Sequence, residues 1–343
     1  MRWTCNFLVA ATVIASTLGH APKASAQSVE SFYRNKTIRF LVGTDVGAGF
    51  SAYSMLMGQF LSKHIPGNPT ITIEHMPGAG GINSLNYLAN AAPKDGTAIA
   101  VAMPNFFVTP WTEPQAVKFD PTKFHFLGRM SDFGRVLSVW HESGVKTIDD
   151  LKKSEITLGA SSSRSTTAIA PLLMNELLGA KFKIITGYTG TGPTMVAMER
   201  GEVASTTIAW ATINSLYGEW LRDGKLRVIG GLDFAAVPIP DVPRVRDLIA
   251  DDKKRALWDF IALPAEFGTA VLAPPGVPDD RLKALRDGFL AAAKSPELMA
   301  EAARRKLDMN PKSGEELDAL FIQHGSPTKD IITEVARLMG VGP

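Results

Sequence analysis

Short apolar stretches with the composition of β-strands alternate along this chain with stretches of helical spacing. An apolar stretch at 38–42 is followed by a glycine-containing loop and a helical pattern that begins near Ser51. Another at 70–74 leads through a glycine-rich turn into a helical pattern from Ile82, and the same order returns between 155 and 230. Strands joined to helices by short loops pack as mostly parallel sheets covered by helices. The alternation therefore predicts an α/β fold.

The N-terminus has the pattern of a cleavable secretory signal peptide. Arg2 supplies a positive start, residues 3–18 are almost all apolar or small, and the motif Ala-Ser-Ala at 24–26 precedes Gln27. The apolar run is shorter than the about 20 residues that span a bilayer, and a buried N-terminal helix is the alternative. We expect residues 1–26 to be a signal peptide and the exported chain to reside in the periplasm.

Cysteine content and charge exclude several classes of function. The only cysteine in the sequence, Cys5, lies within the predicted signal, so the exported chain has no thiol for a disulfide, a cysteine–zinc site or a nucleophile. The signal contains no twin-arginine pair, so we expect export in the unfolded state and without a preloaded cofactor. The 36 basic and 34 acidic residues give a net charge of +2, and this balance argues against nucleic acid as a partner.

The length that follows the signal exceeds one typical domain, so two lobes are the default expectation. The strand–helix order restarts in the middle of the chain, and we expect crossings between the lobes near 128–131 and 260–267. We assign 27–128 to the first lobe, 129–262 to the second, and 263–343 to the first lobe again. The helical tail is expected to pack back on the first lobe.

Four loops share one design: each leaves a strand, is rich in glycine or hydroxyl side chains, and opens a helix. They lie at 43–51, 77–81, 160–166 and 188–193. The carboxyl ends of parallel strands meet at one edge of a sheet, where open α/β folds bind ligands. Helix N-termini present unpaired N–H groups and partial positive charge, which suits a carboxylate or phosphate. Simple tight turns are the alternative.

Several side chains in and near these loops are candidates for ligand contact. Ser51 is expected to cap the first of these helices. Arg164 either pairs with an acid ligand in bidentate fashion or is a solvated loop charge, and Trp210 either walls the pocket or is a core indole. The predicted ligand-binding residues are Gly47, Ala48, Gly49, Phe50, Ser51, Gly78, Ala79, Gly80, Ser161, Ser162, Ser163, Arg164, Ser165, Thr166, Tyr188, Thr189, Gly190 and Trp210.

The first loop also resembles a dinucleotide-binding fingerprint. Gly47, Gly49 and Ala52 have its spacing, and Glu74 stands where a carboxylate would hold a ribose. The fit is imperfect, because residues 43–46 separate the strand from the first glycine. An exported protein would also have little use for a nicotinamide cofactor.

Signatures of catalysis are absent from the sequence. It contains no G-x-S-x-G, H-E-x-x-H or P-loop motif, and its histidines show no metal-ligand spacing. A catalytic triad built on Ser161 or Ser163 stays open, since triads assemble in space rather than in sequence. We expect no catalytic residue, no metal and no cofactor.

A series of short motifs runs through nearly all of the exported chain in one order. They are KTIRF at 36–40, MPGAGG at 76–81, APKDGT at 92–97, KFDP at 118–121, GYTG at 187–190, PDVP at 240–243 and LAPPGVP at 272–278. With these motifs the chain resembles the receptors of the tripartite tricarboxylate transporter family, also called Bug or TctC proteins.

This resemblance implies a periplasmic binding protein of the Venus flytrap type, similar to type II, whose two lobes close on a carboxylated solute. It implies delivery of the solute to membrane subunits of a tripartite transporter, without chemistry on it. The family's ligand-binding loops match 43–51, 77–81, 161–167 and 188–190. We expect a monomer that binds a small organic carboxylate.

The first loop departs from the family pattern, in which proline and two glycines precede an aspartate. Here Phe50 adds an aromatic ring and Ser51 stands where the acid is expected, which argues against an amino-acid ligand. Two other functions stay open: an exported hydrolase that uses a loop serine, and a solute-sensing adaptor that feeds no transporter.

Overall fold

The structure, a computed structural model, describes residues 28–46, 49–161, 165–188, 190–234, 237 and 239–340. In this part of the chain, helices cover two separate β-sheets. None of the described helices is long and apolar enough to cross a membrane.

The secondary structure follows the chain in three stretches. The first contains α1 (Val29–Tyr33), β1 (Thr37–Val42), α2 (Gly49–Leu61), β2 (Thr70–His75), α3 (Ile82–Asn90), β3 (Ala98–Val101), α4 (Asn105–Thr112) and β4 (His125–Arg129). The second contains β5 (Arg135–Trp140), β6 (Ile156–Ala160), α5 (Thr166–Leu178), β7 (Phe182–Thr186), α6 (Thr191–Glu199), β8 (Ser205–Ala209), α7 (Trp210–Leu216), α8 (Gly218–Arg222), β9 (Leu226–Gly231) and α9 (Asp252–Phe267). The third contains β10 (Ala270–Ala273), α10 (Asp279–Lys294), α11 (Pro296–Arg304), β11 (Lys312–Ser313), α12 (Gly314–His324) and α13 (Lys329–Met339).

The first sheet has the strand order β11-β4-β10-β3-β1-β2. Strand β1 pairs in parallel with β2 and β3, whereas β10 is antiparallel to β3 and β4. Helices α2, α10 and α11 cover one face of this sheet, and α3, α4 and α12 cover the other. Phe40 and Val42 of β1 enter the core on one face and Leu41 enters the core on the opposite face. This explains the continuous apolar run, which is typical of a strand buried on both sides.

The second sheet has the order β7-β6-β8-β5-β9 and a core of its own. Strand β6 pairs in parallel with β7 and β8, and β5 is antiparallel to β8 and β9. Leu173 of α5 and Trp258 of α9 pack on one face, and Met195 of α6 and Ile213 of α7 pack on the other. Two sheets with separate cores make a two-lobe α/β fold, as predicted. Both sheets are mixed, because the strands that carry the chain between the lobes run antiparallel to their neighbours.

The chain passes between the two sheets at a hinge formed by residues 130–134, which connect β4 to β5, and residues 265–269, which connect α9 to β10. These segments lie side by side: Thr269 N donates to the carbonyl of Ser131 at 2.9 Å, and Phe133 N donates to the carbonyl of Ala265 at 2.9 Å. Gly268 has φ 48° and ψ −115°, a backbone conformation that glycine alone adopts readily. The hinge is therefore a tight backbone contact rather than a free linker.

A buried ion network braces this hinge. The Arg129 guanidinium, in a residue only 2% exposed, donates to Glu266 Oε1 at 2.9 Å and to Asp132 Oδ2 at 3.0 Å. Lys312 Nζ donates to the same Glu266 oxygen at 2.7 Å. Because buried charges need partners, these bonds hold β4, α9 and β11 together.

The helical tail divides between the lobes. Helices α10, α11 and α12 pack on the first sheet, whereas α13 packs against α4 and also against α5 and α9. Ile331, Val335 and Leu338 form one apolar stripe of helical spacing on α13, and it joins the core of the second sheet. This last helix therefore bridges the two lobes, whereas the rest of the tail packs on the first.

Candidate functional site

In both sheets, the edge at which the parallel strands end lies next to the hinge. In the first sheet, the carboxyl ends of β1, β2 and β3 lie at the edge where β4 ends and β10 begins, since Arg129 pairs with Ala270. In the second sheet, Ala209 at the end of β8 pairs with Arg135 at the start of β5. The ends of β6, β7 and β9 lie at this same edge. The loops that follow these strands therefore border one cleft between the lobes.

The first two predicted loops touch each other. A Cβ atom on Gly43 would lie 2.6 Å from the Cα of Gly81, so the two backbones are in close contact. Four consecutive residues have positive φ: Gly78 (123°), Ala79 (48°), Gly80 (60°) and Gly81 (92°). Gly78, Ala79 and Gly80 are exposed. The glycines thus let an exposed backbone turn face the cleft.

The start of α2 differs from the prediction. The helix begins at Gly49, so Ser51 lies within its first turn and the predicted N-cap is wrong. Ser51 is fully buried, and its Oγ lies 2.8 Å from His75 Nε2 at the end of β2. Phe50 is partly buried, and its ring packs edge to face with Phe133 of the hinge, with 5.0 Å between centroids. Ser51 therefore joins two elements of the first lobe, while Phe50 reaches the hinge.

The third and fourth predicted loops meet at a small polar pocket of about 110 Å³ in the second lobe. Hydroxyl groups and backbone dominate its lining, which is Gly159, Ala160, Ser161, Thr167, Tyr188, Gly190, Thr191, Thr194, Thr206 and Thr207. Thr207 Oγ1 donates to the carbonyl of Thr167 at 3.2 Å, and Thr194 Oγ1 donates to the carbonyl of Gly190 at 2.9 Å. These bonds fix the wall of the polar pocket.

A second pocket of about 190 Å³, the aromatic pocket, lies where the hinge meets β8 and α7. Its lining is Ser131, Asp132, Phe133, Gly134, Arg135, Val136, Ala209, Trp210, Ala211, Asp233, Val237, Asp308 and Asn310. Trp210 is partly buried, and its backbone N–H donates to the carbonyl of Gly134 at 2.8 Å. Trp210 thus lines this pocket and also packs against the core of the second sheet, and its contact with a ligand stays a prediction.

Arg135 and Asp233 form a buried ion pair in the wall of the aromatic pocket. Arg135 Nη2 donates to Asp233 Oδ1 at 2.6 Å, and the Arg135 backbone N–H donates to Oδ2 at 2.5 Å. Burial raises the pKa of Asp233 above its ordinary value, and the adjacent Arg135 guanidinium offsets part of that rise. The pair neutralises both charges within the protein.

The residues that precede the cleft helices offer little to cap them. Gly81 precedes α3, Gly190 precedes α6 and Ala209 precedes α7, and none of these three has a polar side chain. By contrast, polar side chains cap helices away from the cleft: Ser28, Asp251, Ser295, Ser313 and Thr328. Helix N-termini leave backbone N–H groups without intrahelical partners, so those of α3 and α6 suit an anion in the cleft.

The structure brings three of the predicted ligand-binding residues together in one pocket, whereas the described predictions of the first two loops line neither pocket: Gly49, Phe50, Ser51, Gly78, Ala79 and Gly80. Ser161, Tyr188 and Gly190 line the polar pocket, and the Ser165 hydroxyl bonds that of Thr167 beside it at 2.7 Å. Only the backbone of Thr166 is described. The predictions that lie outside the described residues are Gly47, Ala48, Ser162, Ser163, Arg164 and Thr189.

Sequence reasoning missed Phe133, Arg135 and Asp233. Arg135 and Asp233 are 98 residues apart in sequence, so no local pattern marks them as a pair. The one available signal was the short polar segment 131–135, which separates two apolar stretches.

The two remaining candidates in the cleft are a dinucleotide site at Glu74 and a metal site. Glu74, the candidate ribose ligand, accepts from Arg39 Nε at 2.7 Å and from Arg39 Nη2 at 2.6 Å, so its carboxylate is already engaged. Among the residues that the structure describes, no group of three or more His, Cys, Asp or Glu side chains is placed to hold a metal ion.

Comparison with known proteins identifies the family. The model of the tripartite tricarboxylate transporter family receptor matches residues 60–336. The UPF0065 protein in the gbd 5' region of Cupriavidus necator is 27% identical over 321 residues, which are 89% of each chain.

Solved structures share the fold. A TctC solute binding protein from Polaromonas, without ligand, has a TM-score of 0.71 at 17% identity, covering 90% of this chain and 98% of its own. MatC from Rhodopseudomonas palustris, with bound malate, has a TM-score of 0.57 at 19% identity, covering 89% and 99%. An R. palustris protein with adipate has a TM-score of 0.59 at 18% identity, covering 90% and 98%. With a family match over most of its length, the chain belongs to the tripartite tricarboxylate transporter receptor family.

Proposed function

We propose that the protein is a periplasmic receptor that captures a small organic carboxylate in the cleft and delivers it to the membrane subunits of a tripartite transporter. The observation that carries this proposal is the set of glycine- and hydroxyl-rich loops that face the cleft from both lobes. Helix α6 begins in these loops after Gly190, which leaves the N–H groups of Thr191 and Gly192 for an anion. In α3 the N–H of Ile82 donates to the carbonyl of Ala79, so only the N–H groups that follow it are left for an anion. The malate and adipate bound by two structural neighbours agree with such a ligand.

Capture follows from contacts with both lobes. A carboxylate held by the exposed turn 78–81 of the first lobe and by the polar pocket of the second lobe gains most contacts when the lobes are closed. A ligand shifts a conformational equilibrium only by its preference for one state, so the solute itself favours closure about the hinge. Release then requires that another partner, here the transporter, favours the open state.

We propose that residues 27–128 and 263–343 form one lobe and residues 129–262 the other, in a monomer. Sheet membership supports this division, because β1–β4, β10 and β11 share one sheet and β5–β9 share the other. Helix α9 spans the second boundary and carries the chain between the lobes.

We propose binding without chemistry on the solute. Among the residues that the structure describes, a serine–histidine contact near the cleft joins Ser51 to His75, and Ser51 is fully buried. A nucleophile must reach its substrate, so this pair supports the packing of α2 on β2 rather than catalysis.

Thermal unfolding of the exported protein, refolded from denaturant to remove bound solute, tests the proposal. We expect one subset of mono-, di- and tricarboxylates to raise Tm in a saturable manner, whereas the matching amides do not. At a ligand concentration of 100 times Kd the stabilisation is about 2.7 kcal/mol, which corresponds to roughly 4 °C for a chain of this size. The absence of a shift with every acid would contradict the carboxylate proposal.

A matched pair of variants places the binding in the polar pocket. Tyr188→Phe removes one hydroxyl from the lining, and we expect Kd to rise about 2- to 10-fold, the effect of one lost hydrogen bond. Tyr217→Phe is the control, because Tyr217 lies between α7 and α8 and packs on Trp220. An equal effect of the two substitutions would contradict a ligand in the polar pocket.

A further inference from the structure

We propose that the aromatic pocket receives an aromatic ring of the ligand, so that the receptor prefers aryl-substituted carboxylates over aliphatic diacids. This inference rests on the proposed capture of a carboxylate and names the class of acid. Phe133 and Trp210 are both only partly buried, although each is held by a backbone bond to a neighbouring segment. Val136, Ala209 and Val237 complete the apolar part of the lining.

The size of the aromatic pocket fits one ring. Its volume is about 190 Å³, and an apolar cavity of about 150 Å³ in a protein interior is known to take up benzene. Phe50 extends the apolar surface, since its ring packs edge to face on Phe133. Aromatic rings prefer such edge-to-face and offset contacts, so Phe133 and Trp210 can hold a ring between them.

The charged groups of the aromatic pocket oppose a second carboxylate. Arg135 donates to Asp233, and Asp132 accepts from Arg129 at 3.0 Å and from Asn310 at 2.5 Å. Of the other described residues in the lining, only Asp308 is charged, and its side chain is exposed and negative. A second carboxylate in this pocket would lie near three carboxylates, and the one guanidinium of the lining already pairs with Asp233. Such an anion would be repelled and would lose its hydration, whereas an uncharged ring has neither cost.

The spacing of the two pockets sets the length of the ligand. Strand β8 contributes Thr206 and Thr207 to the polar pocket, and Ala209 with the following Trp210 to the aromatic pocket. The polar pocket extends over β6 on one side of β8, and the aromatic pocket over β5 on the other. Neighbouring strands lie about 4.8 Å apart, and residues rise by about 3.3 Å along a strand, so the offset across and along β8 separates the pocket centres by roughly 9–14 Å. One ligand reaches both pockets if a chain of about five methylene groups joins its carboxylate to its ring.

Calorimetric titration of the refolded protein tests this inference with 6-phenylhexanoate, hexanoate and adipate as probes. We expect 6-phenylhexanoate to bind about fivefold or more tightly than either aliphatic acid, because ring–ring contacts add to the burial of area. In Trp210→Ala this preference should disappear. In Trp220→Ala it should persist, because Trp220 packs on Trp140 and Tyr217 outside the pocket.

Phe133→Leu provides a second test that keeps apolar volume, and it should reduce the preference for the ring in the same direction as Trp210→Ala. Equal or tighter binding of hexanoate or adipate by the unmodified protein would overturn the aromatic assignment while leaving the carboxylate receptor intact. So would a ring preference that survives both pocket variants. If no acid of any kind binds, the proposed function fails together with this inference.

Discussion

Substitution of Gly268 by alanine tests the hinge as the structure describes it. The added Cβ would lie 2.1 Å from the carbonyl oxygen of Ser131 and 2.6 Å from the Cα of Asp132, where ordinary contacts need at least 3.4 Å. Both neighbours are backbone atoms, so the two crossing segments must separate by about 1 Å, an overpacking that costs about 1–3 kcal/mol. Alanine at φ 48° and ψ −115° adds strain of about 1–3 kcal/mol.

The expected loss is therefore roughly 2–6 kcal/mol, which lowers Tm by roughly 3–9 °C. The matched control is Gly179→Ala at the end of α5, where φ is 73° and the added Cβ has no atom within 4 Å. That substitution carries only the strain of the left-handed backbone, about 1–2 kcal/mol. Thermal unfolding of both variants separates the cost of the steric overlap from the cost of the backbone strain. If Gly268→Ala unfolds at the temperature of the control, the close contact of the two crossing segments is refuted.

Three further substitutions test packing and charge. Ser51→Ala removes the buried bond to His75 and should lower the free energy of unfolding by about 1–2 kcal/mol; an unchanged denaturant midpoint would contradict the pairing. Glu74→Gln should lose up to about 1 kcal/mol at pH 7, since Glu74 is partly exposed. The hydrogen bond from Arg39 lowers the pKa of Glu74 in the folded protein. The stability that the ion pair contributes is therefore present above the unfolded pKa of about 4.3 and is lost as pH falls through the lower folded pKa. A difference in the free energy of unfolding between Glu74→Gln and the unmodified protein that persists at pH 2 would contradict this pH dependence. Arg129→Met removes one of the two cations that pair with Glu266, the other being Lys312, and should destabilise by about 1–3 kcal/mol, the effect of lost hydrogen bonds to charged groups, in the same denaturation assay; an unchanged denaturant midpoint would argue against the ion network.

Local sequence pattern predicts those helices and strands that are marked by the residues within them and directly beside them. The sequence predicts a helix over 166–178 and a strand over 182–186, and these match α5 and β7, because each follows a polar or glycine-containing segment and ends at a glycine, Gly179 and Gly187. Helix α9 was missed, since residues 257–267 are all buried and Pro264 lies within it. A helix that is apolar all round has no amphipathic period, and an internal proline ordinarily indicates a break.

The sequence predicts those parts of the candidate site that are built from residues close together in the chain. The loops of the polar pocket were recognised from glycine and hydroxyl residues after apolar strands, and Trp210 from its position at a strand end. The aromatic pocket was not recognised, because it combines the hinge with Asp233 and Asp308 from distant parts of the chain. Such a combination depends on strand order and register, which no local pattern contains.

Calorimetric titration of the refolded protein with a carboxylic acid and with its amide tests the central claim most directly, provided the acid is recovered and analysed afterwards. The account predicts saturable binding of one acid per chain, no comparable binding of the amide, and recovery of the acid unchanged. Equal binding of acid and amide, or conversion of the bound compound into a product, would contradict a receptor that captures a carboxylate without chemistry.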